Sequence, residues 1–238
     1  MENNSFRKGI TDGLPICIGY FAVSFAFGIF AVGAGLSVIE TLLISMTNLT
    51  SAGQLAAVPI IAGGGTFLEL AVSQLVINSR YSLMSVSLSQ KLSQKISNAD
   101  RLLIAFGNTD EIFAVATANK CAVGKKYMWG LILSPYLGWS GGTLVGAIAG
   151  NILPQIVITS LGVAIYGMFI AIVVPQVKRS IAAALCAVLA ILLSCMFSYI
   201  PFLSAVPSGF VIIICAVLAA LFAAVLFPLP AEEVSADA

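Results

Sequence analysis

The sequence predicts an all-α integral membrane protein, a polytopic helical bundle of about six spanning helices plus two broken or re-entrant ones. Three observations lead there. Of 238 residues, 60% are hydrophobic and 9% charged, whereas ordinary soluble domains are about a quarter charged. The mean hydropathy is +1.06. Apolar runs recur near 14–34, 37–63, 66–88, 102–118, 127–149, 155–174, 180–199 and 207–227, most of them long enough to cross a bilayer core that takes about 20 helical residues. Backbone in lipid must satisfy its own hydrogen bonds, so these runs are expected to be helices.

Residues 1–13 form a short polar N-terminus in which Arg7 and Lys8 precede the first run. That run contains Pro15 and exceeds the apolar length of a cleaved signal, so it reads as a retained helix. The second run is interrupted by NLTSAGQ, residues 48–54, which places Asn48, Thr50, Ser51 and Gln54 where lipid offers no hydrogen bonds. Its two arms of about ten residues are each about 15 Å long if helical, which puts the polar centre near mid-membrane. Gly53 permits unusual backbone geometry, and Pro59 removes a donor from the second arm. A break there frees carbonyls at the end of one half-helix and N–H groups at the start of the next. Transporters bind substrates and ions at such breaks; the same polar side chains also serve as contacts between helices.

The third run ends in LVINSRYS, with Asn78 and Arg80. An inward-facing Arg80 needs an acid, which Glu69, Asp110 or Glu111 can supply; an outward-facing one snorkels to the surface. The basic loop 89–101, SQKLSQKISNADR, follows Leu88 and carries Leu92 and Ile96 at helical spacing, which suits a helix lying on the membrane surface. The fourth run is interrupted by FGNTDEIF, residues 106–113. Adjacent acids at membrane depth are costly, which makes Asp110 and Glu111 candidate proton carriers, unless this short run leaves them at an interface. In the fifth run, Gly138, Gly142, Gly146 and Gly150 stand four apart, a stripe for close packing on another helix of this chain or of a second subunit. A polar tail, 229–238, closes the chain, and the whole of 1–238 reads as a single transmembrane domain.

Charge orients the bundle. Basic residues cluster at 7–8, 91–101, 120–126 and 178–179. If every run crossed once from a cytoplasmic N-terminus, the 91–101 cluster would face outside, against the positive-inside tendency. If the two polar-centred runs instead dip in and return, all four clusters become cytoplasmic. The expected arrangement is therefore six spans, two re-entrant segments and both termini inside.

Several chemistries are disfavoured. There is no histidine, which removes His-bearing metal sites and His-based nucleophilic catalysis, so no metal, cofactor or enzymatic activity is expected. Gly138-Trp139-Ser140-Gly141 resembles the G-x-S-G of rhomboid proteases, but a serine without a base is a poor nucleophile. No phosphate-binding P-loop occurs. The five cysteines include no C-x-x-C pair and read as small apolar side chains. A net charge of +1 gives no reason to expect nucleic acid. Tyr20 and Ser24, and again Tyr136 and Ser140, stand four apart ahead of small residues, a weak internal similarity of the kind repeated transporter halves display.

The order GYxxxxxAFG (19–28), AGLS (34–37), AGQ (52–54), N-x-R (78–80) and TDE-x-F (109–113) resembles the AzlC family of branched-chain amino acid exporters. The resemblance implies export of leucine, isoleucine and valine, with methionine as a further candidate, across the bacterial inner membrane, together with a small membrane subunit of the AzlD type. It leaves room for an oligomer. A zwitterion with an apolar tail needs a carboxylate partner, an ammonium partner and a greasy pocket. The candidate substrate-binding residues are Asn48, Thr50, Ser51, Gly53, Gln54, Asn78, Arg80 and Tyr20, with Asp110 and Glu111 for proton coupling. The competing expectation is a channel or structural membrane subunit without alternating access.

Overall fold

The computed structural model describes residues 4–119, 121–154, 156, 167, 170, 173–175, 177–203 and 205–228. Its helices are α1 Phe6–Gly33, α2 Val38–Thr47, α3 Ser51–Ala62, α4 Phe67–Lys91, α5 Asn98–Phe106, α6 Asp110–Thr117, α7 Lys125–Gly150, α8 Ile181–Tyr199 and α9 Ser208–Leu226. Among the described residues no strand forms, and the one isolated bridge joins Leu92 to Val123. The all-α class thus holds. Among the described residues four helices, α1, α7, α8 and α9, are long and apolar enough to cross a membrane. The expected span 155–174 falls almost wholly outside the described residues, and the 229–238 tail wholly so.

The chain divides into two compact units, 1–58 with 78–165 and 59–77 with 166–238. In the first, α1 and α7 run parallel along their lengths, joined by small residues. A Cβ on Gly138 would sit 2.5 Å from the Cys17 carbonyl oxygen; on Gly142 and Gly146 it would collide with the backbones of Phe21 and Phe25. The glycine stripe of the fifth run therefore packs on α1 of the same chain. Glycines on α1 reciprocate, since a Cβ on Gly13 would stand 2.9 Å from the Leu131 carbonyl oxygen. At the start of this seam, Asn4 Oδ1 accepts the Gly124 N–H at 2.8 Å, and Asp12 accepts from both Lys8 (2.6 Å) and the Tyr127 hydroxyl (2.9 Å).

Both polar-centred runs are broken helices. Ser37 and Glu40 form a capping box that starts α2. The helix stops at Asn48, which leaves α-helical geometry, and α3 begins three residues later. Likewise α5 ends at Gly107, and α6 starts from Thr109, whose side chain accepts the Ile112 N–H. The segments flanking α5 and α6 pair directly: Ser93 N–H donates to the Val123 carbonyl at 2.9 Å and Val123 N–H to Lys91 at 3.0 Å. Asp100, in the first turn of α5, meets Lys125 at 2.8 Å. The segment before α5 and the one after α6 therefore lie side by side.

The surface-lying helix expected over 89–101 does not form. Instead α4 runs on to Lys91, a turn follows, and α5 starts at Asn98 capped by Ser97. Leu88, Leu92 and Ile96 are all buried in the largest core cluster, with Ile104, Ile112, Tyr127 and Leu131. Their spacing marked an apolar side correctly, but that side meets protein rather than lipid.

In the second unit, α4 begins beside α9. Glu69 is only 4% exposed, and its carboxylate accepts the Gly209 N–H at 2.8 Å, supplying the N-terminal turn of α9 with the side-chain acceptor that Pro207 lacks. Gly65 and Gly209 leave room for it: a Cβ on Gly209 would stand 2.6 Å from Glu69 Cγ. Helix α8 buries none of its described residues, as befits a helix whose surroundings are lipid or another subunit.

Candidate functional site

The two helix breaks share one construction within the first unit. Each second half-helix is led by a threonine whose hydroxyl satisfies an N–H group of its first turn and also hydrogen-bonds a tyrosine hydroxyl. At the first break, Thr50 Oγ1 accepts from Gly53 N–H at 3.4 Å and from the Tyr81 hydroxyl at 3.5 Å, while the Thr50 carbonyl accepts Gln54 N–H at 3.0 Å. At the second, Thr109 Oγ1 accepts from Ile112 N–H at 3.5 Å and shares a hydrogen bond of 2.7 Å with the Tyr20 hydroxyl, while its carbonyl accepts Phe113 N–H at 2.8 Å. Helix geometry leaves the first N–H groups of each half-helix, at Ser51 and Ala52 and at Asp110 and Glu111, without an intrahelical acceptor.

Arg80 ties the breaks together. It lies on α4 and reaches Asp110, the first residue of α6, at 2.7 Å, with both side chains about half exposed (51% and 46%). Of the three acids that sequence allowed, Asp110 is the partner. Glu69 serves α9 instead, and Glu111 accepts from the Tyr20 hydroxyl at 2.5 Å. Arg80 also donates to the Tyr81 hydroxyl at 3.0 Å, with its guanidinium 4.7 Å from that ring's centre. A continuous polar chain thus runs Thr50–Tyr81–Arg80–Asp110, and beside it Glu111–Tyr20–Thr109.

Deeper in the first break, Gln54 is fully buried. Its amide donates to the Asn48 carbonyl, one of the groups released where α2 ends. Ser45 bridges from Gln54 Oε1 (3.4 Å) to Thr143 on α7 (2.7 Å). Tyr136, also on α7, donates to the Met46 carbonyl at 3.1 Å, and Trp139 packs edge-on against Tyr20 with ring centres 5.1 Å apart. The middle of α7 is therefore a third wall touching both breaks.

Of the residues expected from sequence, the structure gathers Asn48, Thr50, Gly53, Gln54, Arg80, Tyr20, Asp110 and Glu111 into this network. Ser51 opens α3, and Asn78 lies half-buried two residues ahead of Arg80 on α4. Sequence reasoning passed over Tyr81, Ser45, Trp139 and Thr143. Thr50 and Thr109 carried the readable signal, since threonine before a helical run is a favoured N-cap. Among the described residues, no group of three His, Cys, Asp or Glu side chains converges as metal ligands would.

Paired helix breaks joined by an ion pair, within a helical bundle, define an all-α membrane protein of the discontinuous-helix kind. The chain belongs to the AzlC protein family, which matches it over residues 15–153, a stretch that includes both breaks. It is 32% identical over 182 residues to the inner membrane protein YgaZ of Escherichia coli K12, covering 74% of each chain. It is also 32% identical over 175 residues to an uncharacterized membrane protein of Archaeoglobus fulgidus, covering 73% of this chain and 76% of that one. A third relative, the branched-chain amino acid transport protein AzlC of Bacillus subtilis, is 26% identical over 150 residues, which is 62% of this chain and 58% of that one. No solved structure matches the chain.

Proposed function

We propose that this protein exports branched-chain amino acids from the bacterial cytoplasm by a proton-coupled secondary mechanism, in complex with a small AzlD-type subunit. The Arg80–Asp110 pair, at 2.7 Å between the two breaks, carries the reading. An ion pair and a zwitterion present the same two charges, so the cargo can replace the pair at little electrostatic cost. Its carboxylate goes to Arg80 and the N–H groups that open α3; its ammonium goes to Asp110. Glu111, held by Tyr20, is the neighbouring acid for the exchanged proton. A net-neutral cargo gains nothing from the membrane potential, whereas each inward proton contributes about 2.3 kcal/mol per 100 mV. The name of the Bacillus relative supports the substrate class. The apolar surface of α8 supports a membrane partner.

Two contacts support the topology of six spans and two re-entrant segments, with a cytoplasmic N-terminus. The pairing of residues 91–93 with Val123 suits a 98–118 segment that returns to its own side. The Glu69–Gly209 hydrogen bond suits α4 and α9 starting on the same face; if all eight runs crossed, those starts would lie on opposite faces.

The test is efflux of leucine from cells preloaded with leucine dipeptides. Gln54→Ala, Arg80→Ala and Asp110→Asn are each expected to lower it about tenfold or more, the effect of losing a charged or buried hydrogen bond. Unchanged efflux in all three would remove the site, and efflux that never saturates would favour a channel.

A further inference from the structure

Outside the network of the breaks, the first unit contains a cavity of about 390 Å³ between the C-terminal half of α4 and α5, within the size range of small-molecule sites. Its walls are chiefly apolar, with Leu88, Leu92 and Ile104 among them, and its polar lining includes Ser85, Ser89 and Arg101.

Arg101 is placed there without a counter-ion. Its guanidinium donates to the Ser89 carbonyl (2.9 Å) and hydroxyl (2.7 Å), to the Ser93 carbonyl (3.2 Å) and to the Ile96 carbonyl (3.4 Å), all neutral acceptors. The adjacent acid, Asp100, is turned to Lys125 and Ser97. Among the described residues no carboxylate pairs with Arg101. A second observation lies at Asn108, which is 3% exposed. Its amide nitrogen donates to Ser85 Oγ at 3.2 Å, while its Oδ1 has no hydrogen-bond partner, and a buried acceptor left unmade costs about 1–3 kcal/mol. Ser85 thus belongs both to the cavity wall and to the second break.

We infer that this cavity binds a small carboxylate bearing a branched aliphatic tail, with the carboxylate on Arg101 and the tail on Val86, Leu102 and Ala105. The ligand is the cargo on its way from the cytoplasm, and Asn108 Oδ1 is the acceptor its ammonium meets next. Identifying the ligand with the cargo rests on the transport reading; the cavity's preference for an aliphatic carboxylate does not.

The test uses the purified full chain, with 4-methylpentanoate, which is leucine without its ammonium group, and leucine itself as probes in equilibrium binding. Ala105→Phe fills the cavity from a lining position, and Arg101→Gln removes the cation. Each is expected to weaken 4-methylpentanoate binding about tenfold or more, while Gly141→Ala, on α7 and outside the cavity lining, leaves it within about twofold. Because Arg101 also pins the turn after α4, Ala105→Phe is the deciding variant. Wild-type affinity in Ala105→Phe, or no binding of either probe by the wild type, would overturn the inference. So would palmitate displacing 4-methylpentanoate at lower concentration than leucine does, since the cavity would then belong to membrane-derived fatty acid. A wild type that binds 4-methylpentanoate here yet moves no leucine would sink the transport reading and uphold the cavity.

Discussion

Gly142→Ala should weaken the protein, and its neighbour Gly141→Ala should not. A Cβ on Gly142 would stand 2.9 Å from Phe21 Cα, as well as colliding with the Phe21 carbonyl oxygen and Ser24 Oγ. Ordinary contacts begin near 3.4 Å, so clearing the Phe21 carbonyl oxygen, which lies nearer than its Cα, forces the α1–α7 seam open by more than half an ångström. Both sides of the clash are helix, and no flexible side-chain tip can swing away from the Phe21 backbone. Overpacking of this kind costs about 1–3 kcal/mol, which at about 2–4 °C per kcal/mol lowers the melting temperature by about 2–12 °C. On Gly141 the same Cβ would meet only a Phe21 ring carbon, at 4.0 Å. The swap there is neutral, or stabilising by up to about 1 kcal/mol through helix propensity. Thermal unfolding of the purified variants, followed by intrinsic fluorescence, compares the two. Tyr20 precedes Phe21 and holds Thr109 and Glu111, so Gly142→Ala should also reduce leucine efflux. Equal melting temperatures for the two variants would refute the proposal that this seam is close-packed on backbone.

Tyr81→Phe removes the hydroxyl linking Arg80 to Thr50 and with it two hydrogen bonds but keeps the ring under the guanidinium; efflux should fall about threefold to tenfold, with most of the loss from the shorter bond to Arg80, since a hydrogen bond contributes about 0.5–1.5 kcal/mol. Lys125, with Ser97, holds the Asp100 carboxyl below the usual carboxylate range. The stabilisation from Asp100 is therefore present above about pH 4, its unfolded value, and lost as pH falls through the lower folded one. The gap in melting temperature between wild type and Asp100→Asn should accordingly close on acidification. Ser93→Cys should resist membrane-impermeant thiol reagents in intact cells, and labelling from outside would contradict the two-hairpin topology.

Much of this was legible because lipid makes polarity conspicuous. Asn48, Thr50 and Gln54 in one apolar run, and Asn108 to Glu111 in another, announced the two breaks that form at Asn48–Thr50 and Gly107–Thr109. Side-chain chemistry could narrow the partner of Arg80 to three acids, yet only the tertiary fold delivers Asp110 to it and sends Glu69 to the start of α9. The glycine stripe declared a close helix contact, but its counterpart on α1 includes Cys17, Phe21 and Phe25, met through backbone, which no side-chain pattern advertises. Leu88, Leu92 and Ile96 revealed a common apolar side without revealing what covers it. Thr143 and Trp139 stayed hidden for the opposite reason, as ordinary members of an apolar helix until α1 and the two breaks are set against them.

The most direct test of cargo at the breaks is thiol protection at the first residue of α3. In protein stripped of its five native cysteines, Ser51→Cys is treated with maleimide with and without leucine, and Asn151→Cys, at the exposed C-terminal cap of α7, serves as the reference. Saturable slowing at position 51, with position 151 unaffected, is the predicted result. Labelling of position 51 that ignores leucine, in protein that still transports it, would contradict cargo binding at the break.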